Sequence, residues 1–358
     1  MSIVRLSGTI TSAQDPYREL RARMLYLLYA GGWNIYNSNG DQRITLSNIE
    51  SKILESDAFV FMPDPSLEDI FKAVSIFVGY QTLDPNLQRK AAVILNSDKS
   101  WDPLFGLLDD LQRLGTIKQS YRNYLLLSHN PEDVISHLEK VIKEGLPDVG
   151  RDRIVAEYTD SFENDPEVPT VGNVCVFCSA SIEDPDYLQD GYTFGKMLAE
   201  QRYGCVSGAG TTGIMGEVVR GSVEAGGWTG GSNVPHIIEI EGLPDGLSSF
   251  WLRPDIYTRM EVMIQRSDAF VIFPGGAGTV QEMLALLIFK LAGNALMKDK
   301  PVIIYNRYDS KNETHFWGKL IDLLEPWKDG NLFEVVETLD NLVPKLESLL
   351  VDSSVTKT

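Results

Sequence analysis

The stretch Pro274–Thr279 reads PGGAGT, and a carboxylate, Glu282, follows three residues later. Glycines at Gly275, Gly276 and Gly278 let a backbone come close to a ligand and take positive φ. A helix opening after them offers free N–H groups that suit a phosphate. A second turn, SGAGTTGIMG, carries Gly208, Gly210, Gly213 and Gly216 with Thr211 and Met215 among them. Together the two turns suit binding of a phosphorylated small molecule without cationic side chains, although glycines also serve plain strand-to-helix turns. Neither is a P-loop, since no Gly-Lys-Ser/Thr follows, and neither has the dinucleotide spacing with its later acidic residue. TVQE also reads as a capping box in which Thr279 caps a helix and Glu282 reaches back to it. That role alone would account for both residues.

The elements that must position these turns alternate between strand and helix. In the N-terminal half, IVRLSG, WNIYN, DAFVFM and KAAVILN read as strands. Between them, DPYRELRARMLYLLYAGG, LSNIESKILES and LEDIFKAVSIFVGYQ read as helices. In the C-terminal half the strands are NVCVFCSAS, YGCVSGAG, HIIEIEGL, DAFVIF and KPVIIYN, with helical patterns between them and a last helix at HFWGKLIDLLEPW. This order predicts parallel sheets covered on both faces. In such sheets ligands bind beyond the carboxyl ends of the strands, where both glycine turns fall.

The halves share SDAFV, at Ser56 and at Ser267. The expected fold is therefore two α/β, Rossmann-like parallel-sheet domains, read as an internal duplication with a degenerate first copy. The first copy follows its strand with MPDPSLED, so Ser66 and Asp69 fall into a capping box without the glycines. Arg259 stands eight residues before Ser267, and Asn48 stands eight before Ser56. The expected boundaries are 1–147 for the structural or regulatory copy, 148–170 for an acidic, proline-bearing linker, 171–350 for the ligand-binding copy, and 351–358 for a disordered tail.

The chain has 358 residues and a net charge of −18, which removes any general attraction to nucleic acid or anionic membrane and leaves small phosphorylated ligands open. No apolar run reaches the ~20 residues that span a bilayer, and the first residues lack a secretory pattern. A cytoplasmic location is expected. Cys175 and Cys178 form C-x-x-C, but within an apolar strand, so they are read with Cys205 as buried small hydrophobes. The four histidines show no ligand spacing, and no metal or other cofactor is expected.

FPGGAGTVQE resembles the P-G-G-x-G-T-x-x-E signature of the LOG family, the phosphoribohydrolases once called lysine decarboxylases. CVFCSAS resembles that family's first strand and SGAGTTGIMG its other glycine turn, so the resemblance runs from Asn173 to Trp327. It implies a Rossmann-like fold, a homodimer or higher homo-oligomer, and hydrolysis of nucleoside 5′-monophosphates to free base and ribose 5-phosphate. It implies Arg259 and Glu282 as catalytic residues. It also implies Ser179, Gly208, Gly210, Thr211, Gly213, Met215, Gly216, Gly275, Gly276, Gly278 and Thr279 as the nucleotide-binding set. Cytokinin-type members carry Arg-Lys and a glutamate pair where this chain has Arg259-Met260 and Gln281-Glu282. RMEVMIQRSDAFVIFPGGAGT resembles the larger bacterial nucleotide nucleosidases more closely, which implies ordinary purine or pyrimidine nucleotides. Cytokinin riboside monophosphates, and a non-catalytic nucleotide-sensing role, are the alternative readings. Transfer of the ribosyl group to an acceptor other than water also stays open.

Overall fold

The computed structural model describes residues 2–7, 15–37, 46, 53–84, 87, 90–148, 160–163 and 170–355. The chain divides into two compact units, Met1–Arg151 and Asp152–Thr358.

The first unit runs β1 (Ile3–Leu6), α1 (Arg18–Ala30), β2 (Asn34–Asn37), β3 (Ala58–Phe61), α2 (Leu67–Gln81), β4 (Ala91–Leu95), α3 (Asp102–Arg113), β5 (Leu125–Ser128) and α4 (Pro131–Glu144). Its strands pair in the order β2-β1-β3-β4-β5, all parallel. β3 and β4 are buried along their whole length, which is why their sequences are unbroken apolar runs. Val4, Leu6, Val60, Val93 and Leu95 pack on Met24 and Leu28 of α1 and on Val134 and Leu138 of α4. Asn48 and most of the expected helix LSNIESKILES lie outside the described residues.

The second unit opens with β6 (Phe162–Glu163), β7 (Gly172–Phe177), α5 (Pro185–Glu200), β8 (Tyr203–Ser207), α6 (Gly213–Glu224), β9 (Thr229–Asn233), α7 (Pro235–Glu241) and β10 (Ser249–Leu252). It continues with α8 (Ile256–Gln265), β11 (Ala269–Ile272), α9 (Ala277–Leu291), β12 (Val302–Tyr305), a hairpin of β13 (Tyr308–Asp309) and β14 (Thr314–His315), α10 (Gly318–Leu324), β15 (Glu334–Val336) and α11 (Leu342–Val355). The sheet order is β15-β12-β11-β7-β8-β9-β10-β6, parallel except for the edge strand β6. The chain leaves β7 toward β8 and returns on its other side at β11, so the topological switch point lies at the carboxyl end of β7. α5 and α6 cross backbone to backbone: a Cβ at Gly195 would sit 2.0 Å from the Val218 carbonyl oxygen.

Three expectations need correction. HIIEIEGL is not a strand. Pro235 opens a short helix there, where a missing N–H costs nothing, and Gly242 stops it at φ 74°. Of the strands on either side, TGGSN carries no β signal because glycine and serine lack one, and SFWL is only four residues long. Next, α11 runs to Val355, into the stretch expected to be a disordered tail. Finally, Phe162–Glu163, inside the expected linker, adds a strand to the sheet; the rest of that linker is largely outside the described residues.

The two units repeat more than SDAFV. Asp57 accepts a hydrogen bond from the Ile3 N–H at 2.7 Å, and Asp268 accepts one from Asn173 at 2.8 Å. Asn96 Oδ1, after β4, accepts from the N–H of Trp101, and Asn306 Oδ1, after β12, accepts from the N–H of Trp317. Both tryptophans are fully buried. These correspondences are consistent with an internal duplication.

Candidate active site

Three loops meet at the switch point. Ser179, after β7, ties them together. Its N–H donates to the Pro274 carbonyl at the start of the PGGAGT turn, and its carbonyl accepts from the Met215 N–H of the other turn. Its hydroxyl accepts from the N–H groups of Ser181 and Ile182. The expected binding residues therefore do converge at the carboxyl ends of β7, β8 and β11.

Their glycines divide by what surrounds them. Gly213 has φ 61°, and a Cβ there would meet the Ala180 backbone at 2.5 Å; one at Gly216 would meet the Thr211 carbonyl at 2.2 Å. Those two allow the turn to fold on the protein itself. A Cβ at Gly208 would lie 2.1 Å from an Arg259 nitrogen, and one at Gly275 would lie 2.2 Å from the Thr279 hydroxyl. Gly278, by contrast, faces open space. Met215 is buried beneath the SGAGTTGIMG turn, its sulfur 3.1 Å from the Gly210 nitrogen. Between the glycines, Ala209 is fully buried with φ 56°, a conformation that costs an alanine roughly 1–2 kcal/mol.

The PGGAGT turn changes where its helix starts. α9 begins at Ala277 with Gly276 as cap, and no side chain caps it. The expected Thr279–Glu282 capping box is absent, because the glycines let the helix begin earlier and draw both residues into it. The first unit does form its box: Ser66 caps α2, with Asp69 bonding back to the Ser66 N–H. Six residues past the Gly276 cap is Glu282, and six past the Ser66 cap is Lys72. Both are buried. Counted from the helix caps, the first unit has a cation where the second has the carboxylate.

Glu282 is thus free of capping work and faces Arg259 of α8. The guanidinium donates from Nε to the Ser232 carbonyl at 2.9 Å and from an Nη to the Gly208 carbonyl at 3.3 Å. The same Nη stands 3.9 Å from a Glu282 oxygen. Two carbonyls at the strand ends aim the arginine, and the longer gap to Glu282 is an ion pair without a hydrogen bond. Burial pushes the Glu282 carboxyl up to about 7, the Arg259 charge opposes this, and the Glu241 charge adds to it. Cys175 and Cys178 lie nearby, and burial raises both thiols well above the usual range. They are packing groups, as expected of cysteines in a buried strand.

Glu241 was not visible in the sequence as a site residue, because it ends a segment that reads as a strand. Its carbonyl accepts from the Thr211 N–H at 3.0 Å and from the Thr211 hydroxyl at 2.6 Å.

This geometry defines a Rossmann-like α/β domain with a buried guanidinium–carboxylate pair at its switch point. Residues 215–348 match the family model described as "Possible lysine decarboxylase". The cytokinin riboside 5′-monophosphate phosphoribohydrolase LOG5 of Arabidopsis thaliana is 31% identical over 179 residues, 49% of this chain and 77% of the relative. That of Mycobacterium tuberculosis is 29% identical over 160 residues, 44% of this chain and 78% of the relative. Among solved structures, the Moco carrier protein of Chlamydomonas reinhardtii aligns with a TM-score of 0.39 at 18% identity, covering 51% of this chain and 98% of that one. The chain belongs to the LOG family.

Proposed function

We propose that the second unit hydrolyses the N-glycosidic bond of nucleoside 5′-monophosphates to free base and ribose 5-phosphate. The observation that carries this reading is Glu282: a buried carboxyl paired with Arg259 on the helix that the glycine turn opens, with no capping role. A 5′-phosphate at the start of α9 brings the ribose toward that carboxyl. Cleavage of the C1′–N bond leaves positive charge on the ribose ring, and a fixed carboxylate stabilises it. Water adds its oxygen to C1′ and gives a proton to Glu282. The bond's electron pair departs with the base, which takes a proton from solvent. A carboxyl titrating near 7 suits this proton transfer at neutral pH. Arg259 orients Glu282 and is in place to bond the ribose.

The relatives named for cytokinin riboside monophosphates support the reaction class. Met260 and Gln281, both buried, stand where cytokinin-type members carry charge, and they favour ordinary purine or pyrimidine nucleotides. A homodimer formed through this unit, acting in the cytoplasm, completes the proposal. Among the described residues, no helix is long and apolar enough to cross a membrane.

The test is a panel of nucleoside monophosphates assayed for released base and ribose 5-phosphate, with Arg259→Ala and Glu282→Gln as comparisons. Binding without base release by the unaltered protein would leave the sensing reading in its place. Release of base without ribose 5-phosphate would point to transfer onto another acceptor.

A further inference from the structure

Arg259 is aimed from the ends of two neighbouring strands. Gly208, just past β8, and Ser232, in β9, each give it a carbonyl, at 3.3 and 2.9 Å. The residues that follow these two are joined to each other: Asn233 Nδ2 donates to the Ala209 carbonyl at 3.4 Å. The Asn233 Oδ1 accepts from the Val234 N–H at 2.9 Å, which sets the amide with its nitrogen toward Ala209. Asn233 is fully buried. Gly231, also in β9, leaves room for the Ala209 methyl group, since a Cβ there would lie 2.6 Å from it. The Ser207 hydroxyl accepts from the Ala209 N–H at 3.2 Å. Ala209 is thus held at its N–H, its methyl group and its carbonyl. It is the non-glycine residue of the turn at φ 56°, a conformation that persists only where surrounding contacts enforce it.

We propose that Asn233 is a positioning residue for Arg259: its amide clamps the left-handed Ala209 and so keeps the Gly208 carbonyl on the guanidinium. The inference deepens the hydrolase reading and rests on it for the effect on turnover, whereas the clamp itself does not depend on turnover. The Gly208 carbonyl and the Ala209 N–H belong to one rigid peptide plane. With its own carbonyl released, Ala209 can relax toward negative φ, and that rotation turns the plane carrying the Gly208 carbonyl. Arg259 then keeps the Ser232 carbonyl alone, and the Nη that stands 3.9 Å from Glu282 loses its second support. The clamp is needed because residue 209 is an alanine; a glycine takes this φ without being held.

The experiment records the Arg259 guanidinium by nitrogen-15 NMR in the full-length protein, assigned with Arg259→Lys. Two carbonyl partners hinder rotation about the Nε–Cζ bond, so the unaltered protein should show separate Nη signals. Asn233→Ala should merge them and lower kcat by about three- to tenfold, the order of one neutral hydrogen bond, with KM for a nucleoside monophosphate within about twofold. Asn233→Leu fills similar space without a donor and should do the same; it covers the case in which Asn233→Ala does not fold. Asn173→Ala removes an amide that donates to the Arg266 carbonyl at the opposite end of the sheet, and should leave both readouts unchanged. The remaining variant pairs Asn233→Ala with Ala209→Gly. Its Nη signals should stay separate, and its kcat should stay within about twofold of Ala209→Gly alone, because glycine needs no clamp. Merged Nη signals in the unaltered protein, or unchanged ones in folded Asn233→Ala or Asn233→Leu, overturn the proposal. So does an equal effect of Asn233→Ala in the Ala209→Gly background. Nη signals merged by Asn233→Ala and restored by Ala209→Gly, in a protein that releases no base from any nucleotide, uphold it and remove the hydrolase reading instead.

Discussion

Arg259 and Glu282 face each other across 3.9 Å with their side chains only 8% and 9% exposed. At that distance they attract without a hydrogen bond, so both keep bonding capacity for a third group. Burying an ion pair this loosely held costs more desolvation than it returns, and such pairs are weak evidence for stability. The arrangement makes sense when a ligand's hydroxyls or an attacking water complete it.

Replacing Glu282 by glutamine keeps the shape of the side chain and removes its charge. Base release should drop by about 10²–10³ in kcat, the typical effect of deleting one transition-state electrostatic contact. Nucleotide affinity, measured by calorimetry, should change little if, as proposed, the glycine turns hold the phosphate. Turnover within a few-fold of the unaltered protein would reduce Glu282 to a packing residue.

The same substitution should make the free protein more stable at alkaline pH. Glu282 titrates at about 7 when folded against 4.5 ordinarily, so the fold binds this proton more tightly than the unfolded chain does. The stabilisation from the protonated acid is full below about pH 4.5 and is lost as pH rises through about 7. The interval from 4.5 to about 7, at about 1.4 kcal/mol per pH unit, is about 3 kcal/mol. Glutamine mimics the protonated form and does not titrate. Urea unfolding should find the variant equal to the parent near pH 4 and up to about 3 kcal/mol more stable above pH 8. A gap that does not widen with pH would show that Glu282 is ionised normally.

Much of this was legible in the residues. β3, β4, β11 and β12 announced themselves as apolar runs because both faces are buried. The shared SDAFV marked equivalent strands, and the two glycine turns marked the strand ends where the site lies. β9 was invisible because its glycines pack against large neighbours: a Cβ at Gly230 would meet Trp228 at 2.6 Å, and tertiary contact rather than propensity makes it a strand. Alternating HIIEIE imitated a strand, and only Pro235 hinted at a helix. TVQE carried a true capping pattern, overridden because two glycines let α9 begin sooner. Glu241 had no sequence signal as a site residue, since it ends a segment that reads as a strand.

Gly208 should be coupled to Arg259. Gly208→Ala places a methyl group 2.1 Å from an arginine nitrogen, and the guanidinium must leave both Gly208 and Glu282. The variant should lose about as much kcat/KM as Arg259→Ala. The double variant should lose little more than either, because residues in contact are not additive. Fully multiplicative losses would mean that the methyl group damages something other than the arginine.

The first unit should carry no chemistry, and the reason lies six residues past each helix cap. There Lys72 replaces the carboxylate and spends its charge on Glu68, with Nζ 2.5 Å from Oε1. Its neighbour Asp69 is held by the Ser66 hydroxyl and N–H, and burial raises its carboxyl above the usual range. Both ionisable groups are therefore consumed by α2 itself. Asp69→Ala should cost about 1 kcal/mol, the usual worth of a lost cap, while kcat/KM for nucleotides stays unchanged in the folded protein. Asp64→Ala, in the loop that replaces the glycine turn, should likewise spare turnover. AMP soaked into crystals should place its phosphate at Gly275–Thr279 and leave Pro63–Ser66 empty. A phosphate bound at Pro63–Ser66, or a tenfold loss of turnover in folded Asp69→Ala, would make the first unit a working part of the site.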